Sequence, residues 1–178
     1  MPETTPLRVA DLAQNSTTAF DIRPATATLR DLAEQLGLPG LRKLRFVGII
    51  AAQGARDWHL TAKLGATVTQ ACVATLEPVT TRIDTNVTRT YLAAWSEPTD
   101  EEVEMAGDDT IEPLGIHIDP NAVMIEALTL ALPLYPRKEG ADIGQAVFTE
   151  PGQTPMTDED ARPFSGLADL RNALNKEE

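Results

Sequence analysis

The stretch Val79-Thr80-Thr81-Arg82-Ile83-Asp84-Thr85-Asn86-Val87-Thr88-Arg89-Thr90-Tyr91-Leu92-Ala93-Ala94-Trp95 decides the fold class. Val79, Thr81, Ile83, Thr85, Val87, Arg89, Tyr91, Ala93 and Trp95 recur at every second position, with Thr80, Arg82, Asp84, Asn86, Thr88 and Thr90 between them. A period of two belongs to a strand, whose successive side chains point to opposite faces. Seventeen residues at about 3.3 Å each span about 55 Å if unbroken, so a bend, a bulge or a split into two strands is expected. Unbroken alternation places Arg82 and Arg89 on opposite sides.

The same period extends upstream to Leu41. Trp58, Leu60, Ala62 and Leu64 alternate with Asp57, His59, Thr61 and Lys63, which makes one face wet. Leu44, Phe46 and Ile50 repeat the pattern, and Gly48 interrupts it as a bulge or a close backbone approach does. Gln53-Gly54 and Glu77-Pro78 read as turns, giving four or more antiparallel strands. Two short extended pieces precede them, with Leu7 and Val9 in one, Phe20 and Ile22 in the other, and a polar turn at Gln14-Asn15-Ser16 between.

Two stretches break to a helical period. Leu29, Leu32, Ala33 and Leu36 form one apolar face, with Thr28 as the expected cap, Gly37 as the terminator and Pro39 beyond it. Asp119-Pro120 opens a second helix in which Val123, Met124, Ile125, Ala127, Leu128, Leu130, Ala131 and Leu132 leave only Glu126 and Thr129 polar. Apolarity on nearly all sides predicts a buried helix lying across the sheet. Arg162-Pro163-Phe164 begins a short C-terminal helix carrying Phe164, Leu167, Leu170 and Leu174 on one side. The predicted architecture is α+β: an antiparallel sheet, free to curl toward a barrel, with one short helix, one buried helix and a short C-terminal helix. One domain covers 1–136, including an acidic loop at 97–112, followed by a disordered acidic linker at 137–162 and the helix at 163–175.

Charge is divided unevenly. Residues 1–95 hold ten Lys/Arg and eight Asp/Glu, whereas residues 96–178 hold five and nineteen, a net of +2 against −14. The overall −12 therefore describes the second half, and it argues against nucleic-acid contact only there. Its acidity reads as an acidic solubilising tail or an interaction surface. In the first half, Arg42, Lys43, Arg45, Arg82 and Arg89, with Arg30, Arg56 and Lys63, are candidates for a phosphate-binding patch. The alternative is ordinary solvated strand faces, because stacking aromatics are not interleaved among them.

Other chemistry finds little support. Zinc needs three or four ligands, and the chain offers only Cys72, His59 and His117 beside its carboxylates, so no metal and no cofactor is expected. Cys72 with His59 as a nucleophile and base has no supporting elbow motif, and the acidic loop cannot hold two carboxylates at a fixed separation. No catalytic residue, enzymatic activity or small-molecule substrate is expected. No apolar run approaches the ~18 residues of a membrane span, the start Met1-Pro2-Glu3-Thr4 lacks a signal sequence, and the lone cysteine suits a reducing compartment. A cytoplasmic location away from membranes is the expectation.

Three local patterns occur in order: Cys72-Val73-Ala74-Thr75-Leu76-Glu77-Pro78 before the long strand, Ile118-Asp119-Pro120 through Glu126-Ala127-Leu128 to Leu130-Ala131-Leu132-Pro133-Leu134-Tyr135-Pro136, and Arg162-Pro163-Phe164 with Leu167 and Leu170. This order resembles the YceD family of large ribosomal RNA subunit accumulation proteins, over roughly residues 5–175. The resemblance implies a non-enzymatic ribosome biogenesis factor supporting accumulation of large-subunit (23S) ribosomal RNA, with pre-ribosomal RNA or a ribosomal or assembly protein as partner. Many members carry Cys-x-x-Cys where this chain has Cys72-Val73-Ala74-Thr75, and the exchange to Thr75 argues further against metal or redox chemistry. A protein adaptor using Phe164, Leu167 and Leu170 without touching RNA is the alternative function. A small hydrolase using Cys72 is a third.

Overall fold

The computed structural model describes residues 6–94 and 110–141. Within these, Trp58, Leu60, Ala62, Leu64, Ala66 and Val68 are buried along one strand, as alternation demands. That strand, β4 (Asp57–Ala71), is the centre of a five-stranded sheet. Its neighbours are β3 (Gly40–Gln53) and β5 (Pro78–Leu92), both antiparallel. Outside them lie β2 (Thr18–Ile22), antiparallel to β3, and β6 (Ile111–Pro113), parallel to β5. A separate two-stranded pair joins β1 (Leu7–Arg8) to β7 (His117–Ile118). The fold is α+β with one mixed and one antiparallel sheet. The mixed sheet is open: no described strand bonds β2 to β6, so hydrogen bonding does not close a barrel.

The long strand does not split. From Ala71↔Pro78 to Trp58↔Tyr91 the β4–β5 register runs without a shift, because beyond its first residue, Pro78, no glycine, proline or bulge interrupts β5. Trp95 lies outside the described residues. The bulge in the sheet falls instead between Arg42 and Arg45 of β3, where Lys43 takes a left-handed φ of 53°. Gly48 is a close approach: a Cβ there would collide with the Thr61 carbonyl oxygen and with Ala62 Cβ. Beside it, Phe20 and Phe46 pack with ring centroids 5.4 Å apart.

Helix α1 (Thr26–Gln35) starts two residues before Thr28, from Ala25, with no side-chain cap, so the expected Thr28 cap is not used. Its end is as expected: Gly37 adopts φ +63°, and Gly37 and Leu38 donate to Glu34 and Ala33 carbonyls, closing the last turn. Helix α2 (Pro120–Ala131) is capped by Asp119, whose carboxylate accepts from the Asn121 amide at 2.9 Å. Leu32 and Ala33 of α1 join Val123, Met124, Ala127 and Leu128 of α2 in the core beneath the sheet. Both helices thus cover one face. The expectation that α2 is enclosed is corrected: Leu130 is 74 % exposed, and Ala122 and Thr129 are exposed with it. One layer of sheet offers a helix only one face to bury.

The chain divides into units at Met1–Gly140 and Ala141–Glu178, and every described residue except Ala141 belongs to the first. The acidic loop over 97–109, the linker from 142 and the predicted helix at 163–175, with Phe164, Leu167 and Leu170, lie outside the described residues.

Candidate nucleic-acid interface

With both helices beneath the sheet, the outward residues of β3, β4 and β5 form an open face. Register decides which of them meet. One row across the strands is Arg42, Thr67, Arg82; the next is Arg45, Gly65, Asp84; the next is Val47, Lys63, Asn86. Four cations from sequence positions forty residues apart therefore share three adjacent rows, and all four are exposed or nearly so. Lys43 is exposed at the bulge beside them. Arg30 of α1 joins Arg42 in lining a hollow at the sheet edge. Arg56 stands apart in the turn beyond β3, on the order of 35 Å along the strand from Arg42.

Arg89 is elsewhere. It points beneath the sheet, is 8 % exposed, and pairs through Nε with Glu112 of β6 at 2.9 Å and through Nη2 with Glu126 of α2. The parity of β5 separates it from Arg82, and its two carboxylates use its charge to hold β6 and α2 to β5. Tyr91, two residues on and also beneath the sheet, has its hydroxyl pushed well above the usual range by burial, with the Glu112 charge adding to it.

The floor of the open face is Gly65, between Arg45 and Asp84. It forms part of a groove of about 320 Å³ lined also by Arg45, Lys63, Arg82 and Asn86. Arg82 lays its guanidinium over the glycine: a Cβ there would lie 2.5 Å from Nη2. Arg82 donates from Nε and Nη2 to the Asp84 carboxylate at 2.8 and 2.6 Å. Arg45 donates from Nε and Nη2 to Asp21 of β2, both at 2.9 Å, and Arg23 also binds Asp21. These bonds, from Arg45 first and Arg23 second, hold the Asp21 carboxyl well below the usual carboxylate range. Asp84 is lowered likewise by Arg82. Both arginines are pushed further up by the same carboxylates, so these two ion pairs keep their charges across the physiological range.

Cys72 follows the end of β4 and is fully buried. The Lys138 amide approaches its sulfur at 3.4 Å, while the Val73 amide donates to the Pro136 carbonyl at 2.9 Å. The Thr75 hydroxyl, with backbone amides of Lys138, Thr75 and Ala74, pulls the thiol down to about 6 against the opposing effect of burial. His59 lies near the other end of β4, on the outward side, with Nδ1 3.1 Å from the Thr90 hydroxyl. Thirteen residues of extended strand put Cys72 and His59 about 40 Å apart, so they cannot act as nucleophile and base. Among the described residues no group of three or more His, Cys, Asp or Glu is gathered to hold a metal.

A family model described as "Large ribosomal RNA subunit accumulation protein YceD" matches residues 60–171. The chain belongs to the YceD family. No curated protein and no solved structure matches it. The YceD match begins in β4 and takes in Lys63, Gly65, Arg82, Cys72 and α2, while β3 with Arg42, Lys43 and Arg45 precedes it. The family's description ties the chain to accumulation of large-subunit ribosomal RNA. Among the described residues no helix is long and apolar enough to cross a membrane.

Two features of this surface were not apparent in the sequence: Asp21 and Asp84 as bidentate partners of the arginines, and Gly65 as the floor. The only signal for Gly65 is its interruption of the outward series Thr61, Lys63, Thr67, Thr69.

Proposed function

We propose that this YceD chain supports large-subunit ribosomal RNA accumulation by binding, without catalysing a reaction, and that its open sheet face meets pre-ribosomal RNA. The observation that carries this reading is the gathering of Arg42, Arg45, Lys63 and Arg82 on adjacent rows of a face that neither helix covers. A flat field of permanent cations suits a phosphate backbone, which is recognised by charge and needs no enclosed pocket. Threonines 67, 69 and 80 lie on the same face and add hydroxyls able to bond phosphate or sugar oxygens. The cytoplasm, where ribosomes are assembled, is the place of action under this reading.

The test is a sucrose gradient of lysate containing the tagged chain, at low and moderate salt and after RNase treatment. Co-migration with large-subunit precursors, lost on RNase or salt, is the expected result. Arg42→Glu/Lys43→Glu/Arg45→Glu should abolish it while leaving the circular dichroism spectrum unchanged. Association that survives both RNase and this triple change would point to a protein contact instead.

A further inference from the structure

We propose that the groove over Gly65 is a phosphate site whose arginines are occupied in the free protein by built-in competitors, the carboxylates of Asp21 and Asp84, which an RNA phosphodiester displaces. This rests on the RNA reading above and names the contact at its centre. A carboxylate presents two oxygens to a guanidinium fork, as a phosphodiester does with its two non-bridging oxygens. Arg82 holds such a pair with Asp84 over the glycine, and Arg45, which lines the same groove from β3, holds its own with Asp21 on the β2 side, each through Nε and Nη2. The Asp21 and Asp84 side chains are 37 % and 65 % exposed, and their partners 49 % and 47 %, so water already competes for these bonds. Ion pairs of this exposure add little to stability and exchange readily. Lys63 lines the groove and has no acid partner among the described residues, which leaves one cation free to attract the incoming anion.

Gly65 makes the arrangement possible. Its missing side chain is what lets the Arg82 guanidinium lie down within the groove, because a Cβ would occupy that space. The crowded atoms, Arg82 Nη2 at 2.5 Å and Asp84 Oδ1 at 3.1 Å, are the far ends of flexible side chains, so Gly65→Ala lifts the Arg82–Asp84 pair out of the groove without forcing the strands apart or changing any charge. A carboxylate that merely props its arginine in position makes the opposite prediction to a competitor. Removing a prop loosens phosphate binding, whereas removing a competitor tightens it.

The experiment titrates the full chain and the variants Asp84→Asn, Asp21→Asn and Gly65→Ala with a uridine oligonucleotide and separately with inorganic pyrophosphate. Amide shifts of Lys63 and Asn86 report groove occupancy. Asp84→Asn and Asp21→Asn are each expected to tighten both probes about two- to fivefold, and Gly65→Ala to loosen both about threefold. Unchanged or weaker binding in the two Asn variants, with the parent still binding the oligonucleotide, overturns the competitor role and leaves the RNA reading standing. The expected pattern with pyrophosphate but no oligonucleotide binding in any variant supports the groove as an anion site and overturns RNA as its ligand. No response of Lys63 or Asn86 to either probe overturns the site itself.

Discussion

Arg82 and Arg89 stand seven residues apart on one unbroken strand and do opposite work. Arg82 faces outward, lies on Gly65 and shares its charge with an exposed aspartate. Arg89 faces the helices, is nearly sealed from water, and ties β5 to β6 through Glu112 and to α2 through Glu126. An odd separation along a strand is enough to turn a surface cation into an internal clamp. A composition count treats the two alike, so the ten basic residues of the first half overstate the cations available at the surface.

The same contrast exists between two glycines, and it yields the largest expected effect. Gly48→Ala drives a Cβ into the Thr61 carbonyl and Ala62, backbone and a buried methyl that cannot move aside. It should cost about 3 kcal/mol by urea denaturation, whereas Gly65→Ala should leave the midpoint nearly unchanged. Equal effects would mean that the two faces tolerate bulk alike. Next comes Arg89→Met, which leaves Glu112 and Glu126 without their shared cation. Both carboxylates are partly exposed, so about 2 kcal/mol is expected, below the range for a fully buried pair. Oligonucleotide affinity of the folded variant should stay at the parent value, and a large drop would bring Arg89 back into the interface.

A smaller effect is expected where the inner side of the hairpin ends, at Cys72. Its thiol is lowered in the folded chain, so between about 6 and 9 the unfolded chain holds a proton that the folded chain does not. Stability therefore rises with pH across that window, is fully present above it, and is lost as pH falls through about 6. Thr75→Val removes the hydroxyl that helps lower the thiol and should flatten this rise, followed by denaturation at several pH values. A slope unaltered by Thr75→Val would show that another group titrates there. The smallest effect on stability belongs to Arg82→Gln, under about 1 kcal/mol, because exposed pairs contribute little. Under the proposed RNA reading its effect on oligonucleotide binding should nevertheless be visible: one fewer phosphate would be neutralised, and the dependence of log affinity on log salt should flatten by about 0.7.

Much of the fold was legible because its signals are local. The alternation through Trp58, Leu60, Ala62 and Leu64, the cap at Asp119-Pro120 and the left-handed Gly37 each depend on neighbours within a turn or a strand. The short parallel strand Ile111–Pro113 was not legible, since three residues have no period and their partner, Thr90–Leu92, is fixed by packing. Nor was the openness of α2, where Leu130 looks like core in a helical projection yet faces away from the one sheet available. For the interface, the basic residues of β3 and β5 were identifiable by type, and the opposite orientation of Arg82 and Arg89 followed from parity. That Arg42 and Arg45 meet Arg82 across β4 did not follow, because a bulge at Lys43 resets the register by an amount no residue in the sequence announces.

By itself, the sequence determined where the long strands and the two helices α1 and α2 run, which side of each long strand and of α1 is apolar, and that a near-neutral half precedes an acidic one. These follow from side-chain period, from capping chemistry and from a count of charges, none of which needs a distant residue. The tertiary structure alone decided that two helices share one face of the sheet, that Arg45, Lys63 and Arg82 surround Gly65, and that Asp21 and Asp84 occupy the arginines there. Those outcomes depend on strand order and register. Both are set by the joint burial of Phe46, Ile50, Trp58, Leu60, Leu64 and Val68 against α1 and α2, a condition that exists only once the chain has folded.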